Sequence, residues 1–339
     1  MRLIKTEDAV GQVLCHDITR IIRGVSKDVV FRKGHVIRPE DIPVLLSVGK
    51  EHIYIWENDD TMLHENDAAA VLCDICMGSG IRATEPKEGK IDLIADTDGV
   101  LLVDTERLNT INALGEMMIA TRHGGFAVKK GDKLAGTRVI PLVISKDKME
   151  QAKRAAGPEP LLRVAPFKKK RAGVVTTGSE VFHGRIADTF TPVIADKLAE
   201  YGCTIDKHVI LSDDAEQITA AIKDMLDDGL DIVICTGGMS VDPDDRTPLA
   251  IRNSGSRIVS YGAPVLPGAM FLLAYTDDMR PVMGLPGCVM YSRRTIFDLV
   301  LPSIMADVPV TAEKLARYGE GGLCLSCDEC RFPHCEFGK

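Results

Sequence analysis

Three things are scarce in this chain, and each scarcity removes a class of function. Positive charge is the first: 41 Lys+Arg stand against 49 Asp+Glu, for a net charge of −8. That balance gives no general electrostatic reason to hold nucleic acid or an anionic membrane. Long apolar runs are the second, since none approaches the roughly 18 residues of a membrane-spanning helix. The third is a leader, because the opening Met1-Arg2-Leu3-Ile4-Lys5-Thr6 has no apolar core of the signal-peptide kind. The expectation is a soluble cytoplasmic protein with neither nucleic acid nor membrane as partner. Its 339 residues, at roughly 100–200 per domain, predict two domains and allow three. Cysteine is plentiful by contrast, with ten in all and four of them in the last 16 residues.

Residues 1–60 read as a small mixed α/β unit. Val29-Val30-Phe31 is a strand closed by a turn at Gly34, and Pro39-Glu40-Asp41 opens a short helix with apolar Ile42, Leu45, Leu46 and Val48. Ile53-Tyr54-Ile55-Trp56 follows as a strand. Residues 61–165 read as a second, α+β unit. Its first helix buries Ala68, Ala69, Leu72, Cys73, Ile75 and Cys76 and stops at Gly78. Strands at 91–95 and 100–103 flank Asp98-Gly99, which predicts a hairpin. A helix from about Thr105 to Thr121 carries Leu108, Ile111, Leu114, Met117 and Met118 at helical spacing. Strands near 126–129 and 139–144 and a polar helix at 147–156 come next. Gly157-Pro158-Glu159-Pro160 and the run Pro166-Phe167-Lys168-Lys169-Lys170-Arg171 then mark a boundary.

From residue 170 to 307 the pattern is regular. Ala172–Thr177, Thr204–Leu211 and Leu230–Cys235 read as strands, and Thr191–Tyr201 and Ala215–Asp228 as the helices between them. Strands alternating with helices of this length predict a three-layer α/β/α sandwich on a mostly parallel sheet. Ligands of such sheets bind at the carboxyl ends of the strands.

The loops at those ends carry the chemistry. Thr177-Gly178-Ser179-Glu180 offers a close backbone approach, hydroxyls for phosphate or carbonyl groups and a carboxylate for a cation, or equally a plain strand-to-helix turn. Asp213, three residues before Glu216, has capping-box spacing, and Asp188 before Thr189 and Thr191 also reads as a cap. After the buried run Asp231–Cys235 comes Gly237-Gly238-Met239-Ser240-Val241-Asp242-Pro243-Asp244-Asp245, with Thr247-Pro248 as a helix start. Glycines let the main chain wrap an anion, while three carboxylates would repel it unless Mg²⁺ intervenes. The loop therefore suits a metal-bridged phosphate. Two Pro-Gly turns, Pro267-Gly268 and Pro286-Gly287, follow, and the second leads into a helix expected over about 289–305.

In this order the loops resemble the molybdopterin-binding domain shared by molybdenum-cofactor biosynthesis proteins. The similar positions are Thr177-Gly178-Ser179-Glu180, Asp188, Asp213-Asp214, Gly237-Gly238-Met239-Ser240, Asp244-Asp245, Pro267-Gly268 and Leu285-Pro286-Gly287, over about residues 170–307. Gly34-His35-Val36-Ile37 and the Asp41-Ile42-Pro43-Val44-Leu45 run before Gly49 resemble the entry to the molybdopterin molybdenumtransferase type. The resemblance implies a transferase-like protein of cofactor biosynthesis whose ligand is molybdopterin or adenylated molybdopterin. It also implies molybdate as a partner, Mg²⁺ as a cofactor and a homo-oligomer. Carried over, Glu180, Asp214 (or Asp213), Asp244 and Asp245 would be catalytic, holding the metal ion or orienting phosphates. The remaining matched positions would contact the pterin or its phosphate.

The chain departs from that pattern in several places. Lysines usual around the first Pro-Gly turn are Leu266 and Ala269 here, and the usual Gly-Asn-Pro is Gly287-Cys288-Val289. The Asn expected soon after Asp188 is not evident, and the stretch after Met305 is expected to be too short for the family's terminal β domain. A second family with this fold, the competence/damage-inducible group acting on ADP-ribose-like nucleotides, resembles the Asp244-Asp245-Arg246-Thr247 stretch. A non-catalytic molybdopterin carrier or sensor is the third reading.

Cys324, Cys327, Cys330 and Cys335 form C-x2-C-x2-C-x4-C in a tail taken as residues 320–339. Four thiols so close fit Zn²⁺ or an iron–sulfur cluster, with disulfides or a reduced, unligated tail as the plain alternative. Cys15, Cys73, Cys76, Cys203 and Cys235 read as core residues, and Cys288 lies in a ligand-side turn.

Overall fold

A computed structural model describes residues 2–22, 26–55, 59–240, 242 and 245–339. The chain divides into two compact units, and each is discontinuous. One comprises 1–96, 103–122 and 131–163; the other comprises 97–102, 123–130 and 164–339. Among the described residues no helix is long and apolar enough to cross a membrane.

In the first unit, strands Arg2–Lys5 and His52–Ile55 pair antiparallel, and a small core of Leu14, Ile18, Ile37, Leu45 and Ile53 lies beneath them. Trp56 falls outside the described residues. A four-stranded antiparallel sheet in the order Ile81–Ala83, Lys90–Ala95, Lys133–Val139, Met117–Thr121 carries the second core, against helices Glu65–Cys76 and Lys146–Ala156.

Two local expectations fail here. Lys90–Ala95 already has a partner along each edge, so Gly99–Val103 cannot close a hairpin on it and pairs instead with Ala127–Val128. The helix expected over 105–121 ends at Asn112 and the chain returns as strand Met117–Thr121. The Asn112 side chain fixes that reversal by accepting from Ile119 N (2.8 Å) and donating to Ile119 O (2.9 Å), and Gly115 and Glu116 turn in left-handed backbone (φ 72° and 62°).

The second unit is built on a six-stranded sheet. Its elements are β1 (Arg171–Thr177), α1 (Phe190–Ala199), β2 (Thr204–Leu211), α2 (Ala215–Asp227), β3 (Ile232–Thr236), α3 (Thr247–Asn253), β4 (Arg257–Tyr261), β5 (Leu272–Tyr275), β6 (Pro281–Leu285), α4 (Ile296–Met305) and α5 (Ala312–Arg317). The strand order is β2-β1-β3-β6-β5-β4, parallel from β2 to β6 and antiparallel on either side of β5. Because side chains alternate along a strand, the central strands feed two cores. Ala172, Val174, Ile232 and Ile234 pack with Ile194 and Leu198 of α1 and Phe297 and Val300 of α4. Val175, Val233 and Cys235 pack with Ile218, Ile222 and Met225 of α2 and Ile251 of α3. Helices thus cover both faces, and the fold is the expected three-layer α/β/α sandwich.

α4 is shorter than expected. Gly287–Met290 makes a 3₁₀ turn, and the α-helix begins only at Ile296, where Thr295 and Asp298 form a reciprocal capping box. After Arg317 no further helix or strand forms among the described residues, yet the tail is anchored. Leu266 N donates to Gly322 O and Cys324 N to Leu266 O (both 2.8 Å), Gly338 N donates to Gly321 O (2.9 Å), and Phe337 is buried.

Candidate functional site

The chain leaves β1 toward β2 on one side and then crosses to β3 on the other. The carboxyl ends of β1 and β3 therefore meet at a topological switch point, the place where α/β sheets take ligands. Both bordering loops are those singled out in the sequence. Thr177-Gly178 leads from β1 into the one-turn helix Ser179–Phe182, and Gly237-Gly238 leaves β3.

The two loops touch. A Cβ on Gly237 (φ +80°) would stand 2.1 Å from Thr177 O, and one on Gly238 would stand 2.9 Å from Thr247 Oγ1. Thr247 Oγ1 donates to Gly237 O (2.9 Å) and lies 3.3 Å from Thr177 Oγ1. The Thr247 hydroxyl is thus spent on the glycine loop, not on capping α3, whose boundary residue is Arg246. Tyr261 Oη donates to Met239 O (3.1 Å) and holds the far side of the loop. Met239 itself turns inward, its Sδ filling the place where a Gly284 side chain would go, so only its backbone faces the ligand edge. Ser240 is exposed beside it.

On the α1 face of the sheet, Thr176 and Thr236 sit opposite each other in register. Thr176 Oγ1 reaches His208 Nε2 (3.0 Å) and donates to Asp188 Oδ2 (3.2 Å). Asp188 accepts from Phe190 N (2.8 Å), Thr191 N (3.2 Å) and Thr191 Oγ1 (2.5 Å), so it does cap α1. Burial pushes its carboxyl up, but the bonds from the Thr191 hydroxyl and N–H, the Phe190 N–H and the Thr176 hydroxyl outweigh that and hold it below the usual carboxylate range. A carboxylate depressed in the fold stabilises above its unfolded pKa and loses that contribution as pH falls through the folded one. Asp188→Asn is therefore expected to flatten the acid limb of thermal stability measured from neutral pH downward, and an unchanged limb would contradict this role. Thr236 Oγ1, fully buried at the end of β3, has no hydrogen-bond partner among the described residues. An unmet buried hydroxyl costs about 1–3 kcal/mol, and here it lies one residue from the glycine cradle.

The acidic residues divide by task. Capping falls to Asp214, whose Oδ1 accepts from Glu216 N (2.9 Å) and Gln217 N (3.1 Å), and not to Asp213 as the box spacing suggested. Asp213 is freed for the ligand edge, where its Oδ2 accepts from Ser179 N (3.0 Å) and Ser179 Oγ (3.1 Å). Glu180 is exposed, Asp245 Oδ2 accepts from Asp242 N (3.3 Å), and Asp244 lies outside the described residues. Among the described residues no three carboxylate, imidazole or thiol groups converge on one point. The acidic side chains among the described residues do not form an all-protein Mg²⁺ cage.

Pro286-Gly287 follows β6 and so shares the same sheet edge as the glycine loop. Thr189 Oγ1 donates to Met290 Sδ (3.2 Å), joining the Asp188 loop to that turn. Pro267-Gly268 has a structural task, since Ile296 N donates to Pro267 O (3.2 Å) and a Cβ on Gly268 would stand 2.4 Å from the Ile296 side chain. Burial pushes the Cys288 thiol up, which argues against a nucleophilic thiolate. Cys15, Cys73, Cys76, Cys203 and Cys235 are buried, with the Cys76 and Cys235 thiols pushed up to about 12. All four tail cysteines are free. Thr236 and His208 are the site residues that sequence reasoning missed, with the Thr-Gly-Gly run at a strand end as the available signal for the first, while Thr247, read as a helix start, instead closes the glycine loop.

Residues 173–306 match the family model described as a "Probable molybdopterin binding domain", and residues 3–57 match one described as a domain of unknown function. The former stretch is thus similar to a molybdopterin-binding domain. Among curated proteins, the CinA-like protein of Mycobacterium avium is 39% identical over 77 residues, 23% of this chain and 18% of that protein. The CinA-like protein of Mycobacterium tuberculosis is 39% identical over 90 residues, 26% and 21% respectively. The matched stretches span about a fifth of the length of those relatives. Among solved structures, the molybdopterin biosynthesis enzyme MoaB of Thermus thermophilus is 23% identical with a TM-score of 0.38, covering 42% of this chain and 97% of that one. The protein CinA of Thermoplasma acidophilum is 19% identical with a TM-score of 0.34, covering 40% and 98%.

Proposed function

We propose that the second unit binds the phosphate-bearing end of molybdopterin, or of adenylated molybdopterin, at the switch point between β1 and β3. The observation that carries this is the Gly237-Gly238 cradle, closed by Thr177 and Thr247 and bordered by the unpartnered Thr236 hydroxyl. Backbone N–H groups of the glycine loop and the Ser240 hydroxyl meet phosphate oxygens, and Asp213, holding the Ser179 N–H and hydroxyl, fixes the bordering loop. Mg²⁺, which usually keeps several waters and takes one or two carboxylates plus substrate phosphates, would arrive with the ligand, drawing on Glu180, Asp244 or Asp245. When bound it would offset phosphate charge. In this reading the protein acts in molybdenum-cofactor biosynthesis, releasing AMP as molybdate enters the pterin, and works as a homo-oligomer.

The test is incubation of the full chain with adenylated molybdopterin, Mg²⁺ and molybdate. AMP release that needs Mg²⁺ is expected, with Asp244→Asn and Asp245→Asn each abolishing it; unchanged turnover in both would remove the metal role of that loop. Tight pterin binding without AMP release would instead make the protein a carrier or sensor. The likeness to CinA-like proteins supports a nucleotide pyrophosphatase as the second reading, and hydrolysis of ADP-ribose in place of adenylated molybdopterin would select it.

A further inference from the structure

We propose that Cys324, Cys327, Cys330 and Cys335 hold one thiolate-ligated metal centre, a zinc ion or an iron–sulfur cluster. Four free thiols fall within twelve positions, three of them spaced by three residues. The loop that carries them is closed at its base. Gly338 N donates to Gly321 O, and the Gly322–Cys324 stretch is bonded on both sides to Leu266. Aromatic contacts fasten the returning limb: Phe332 lies 5.9 Å from Phe126 and 6.1 Å from Phe337, centroid to centroid. Arg293 Nη1 donates to Asp328 O (2.7 Å) and steadies the tip.

This anchoring sorts the thiols into a packed pair and an exposed pair. Cys324 and Cys335 pack, half-buried, against the core that α4 shares, whereas Cys327 and Cys330 are exposed at the tip. Among the described residues, no backbone N–H of residues 325–332 is donated within the chain. Folding the tip onto the packed pair breaks no such backbone bond, and it leaves N–H groups free to bond thiolate sulfur. The thiols do not converge in this structure; ligation is what gathers them. A long loop without regular structure carries a closure cost that few internal bonds offset, and a metal cross-link removes it. Each ligating thiol releases its proton to solvent. The centre does not depend on which ligand the sheet edge takes.

The full chain, purified without oxygen, is expected to carry about one zinc ion, or about four irons with matching acid-labile sulfide and a visible absorption band. Cys327→Ser and Cys330→Ser alter exposed positions only, so both should fold as the parent does and each should lose most of the metal. Cys288→Ser should keep it. Metal below about a tenth per chain, both as purified and after the reduced protein is offered Zn²⁺, would overturn the proposal. So would metal retained in full by both tip variants, or the four thiols found as two disulfides.

Discussion

Gly237→Ala is expected to cost about 2–5 kcal/mol of stability in the second unit and to lower affinity for a pterin phosphate at least about tenfold. Two effects add. The residue holds φ +80°, where an L side chain is strained, and its new methyl would stand 2.1 Å from the Thr177 carbonyl and 2.8 Å from its hydroxyl. Backbone cannot swing aside as a side chain does, so β1 and β3 must part at the switch point. Gly238→Ala meets the Thr247 and Thr177 hydroxyls at 2.9 and 3.2 Å but no backbone atom closer than Arg246 N at 3.5 Å, and should cost less. Gly184→Ala, also at positive φ but with open space around it, separates backbone strain from the clash. Thermal unfolding with pterin titration reads all three, and equal losses for Gly237→Ala and Gly184→Ala would refute the close approach as the cause.

The second large effect is at the start of α4. Asp298 is 3% exposed and accepts from Lys197 Nζ (2.6 Å), Arg294 Nη1 (2.9 Å) and Thr295 N (2.7 Å). Lys197 is 6% exposed, with Arg293 O (3.1 Å) as its other acceptor. Asp298→Ala would leave that ammonium buried beside a neutral methyl and uncap the helix, and a loss of about 3–5 kcal/mol is expected. Removing both charges as Lys197→Met with Asp298→Ala should cost less than Asp298→Ala alone, because no buried charge is then stranded. Denaturant unfolding of the two single variants and the double variant measures this. If Asp298→Ala costs under about 1 kcal/mol, as an exposed pair would, the pair does not act as a buried one.

The parallel half of the sheet was readable because its signals are local. Ile232–Thr236 is a short apolar run closed by two glycines, and α2 shows its buried stripe at helical spacing. The hairpin at Asp98-Gly99 was misread for a reason no local pattern contains, namely that Lys90–Ala95 had both edges filled by distant strands. The stop at Asn112 likewise depends on a side chain reaching Ile119 across a turn. At the site, the glycines and hydroxyls were legible as residue types, but the division of labour was not. Asp213 and Asp214 are adjacent and chemically identical, and only the position of Ser179 decides which one caps and which one braces the ligand loop. His208 lies on a strand whose alternation marks it merely as one polar residue among several.

The interleaving of the two units sets a timetable for synthesis. The chain passes between them at 96/97, 102/103, 122/123, 130/131 and 163/164. Residues 97–102 and 123–130 therefore leave the ribosome before any strand of the six-stranded sheet exists. Phe126 must wait for Phe332, some 200 residues downstream, which is roughly 10–40 s at about 5–20 residues per second. Until then that ring lacks its Phe332 partner. A gene fragment cut near residue 163 would encode the second unit without two of its own pieces, 97–102 and 123–130, and expression of either half should begin from a rejoined or permuted chain.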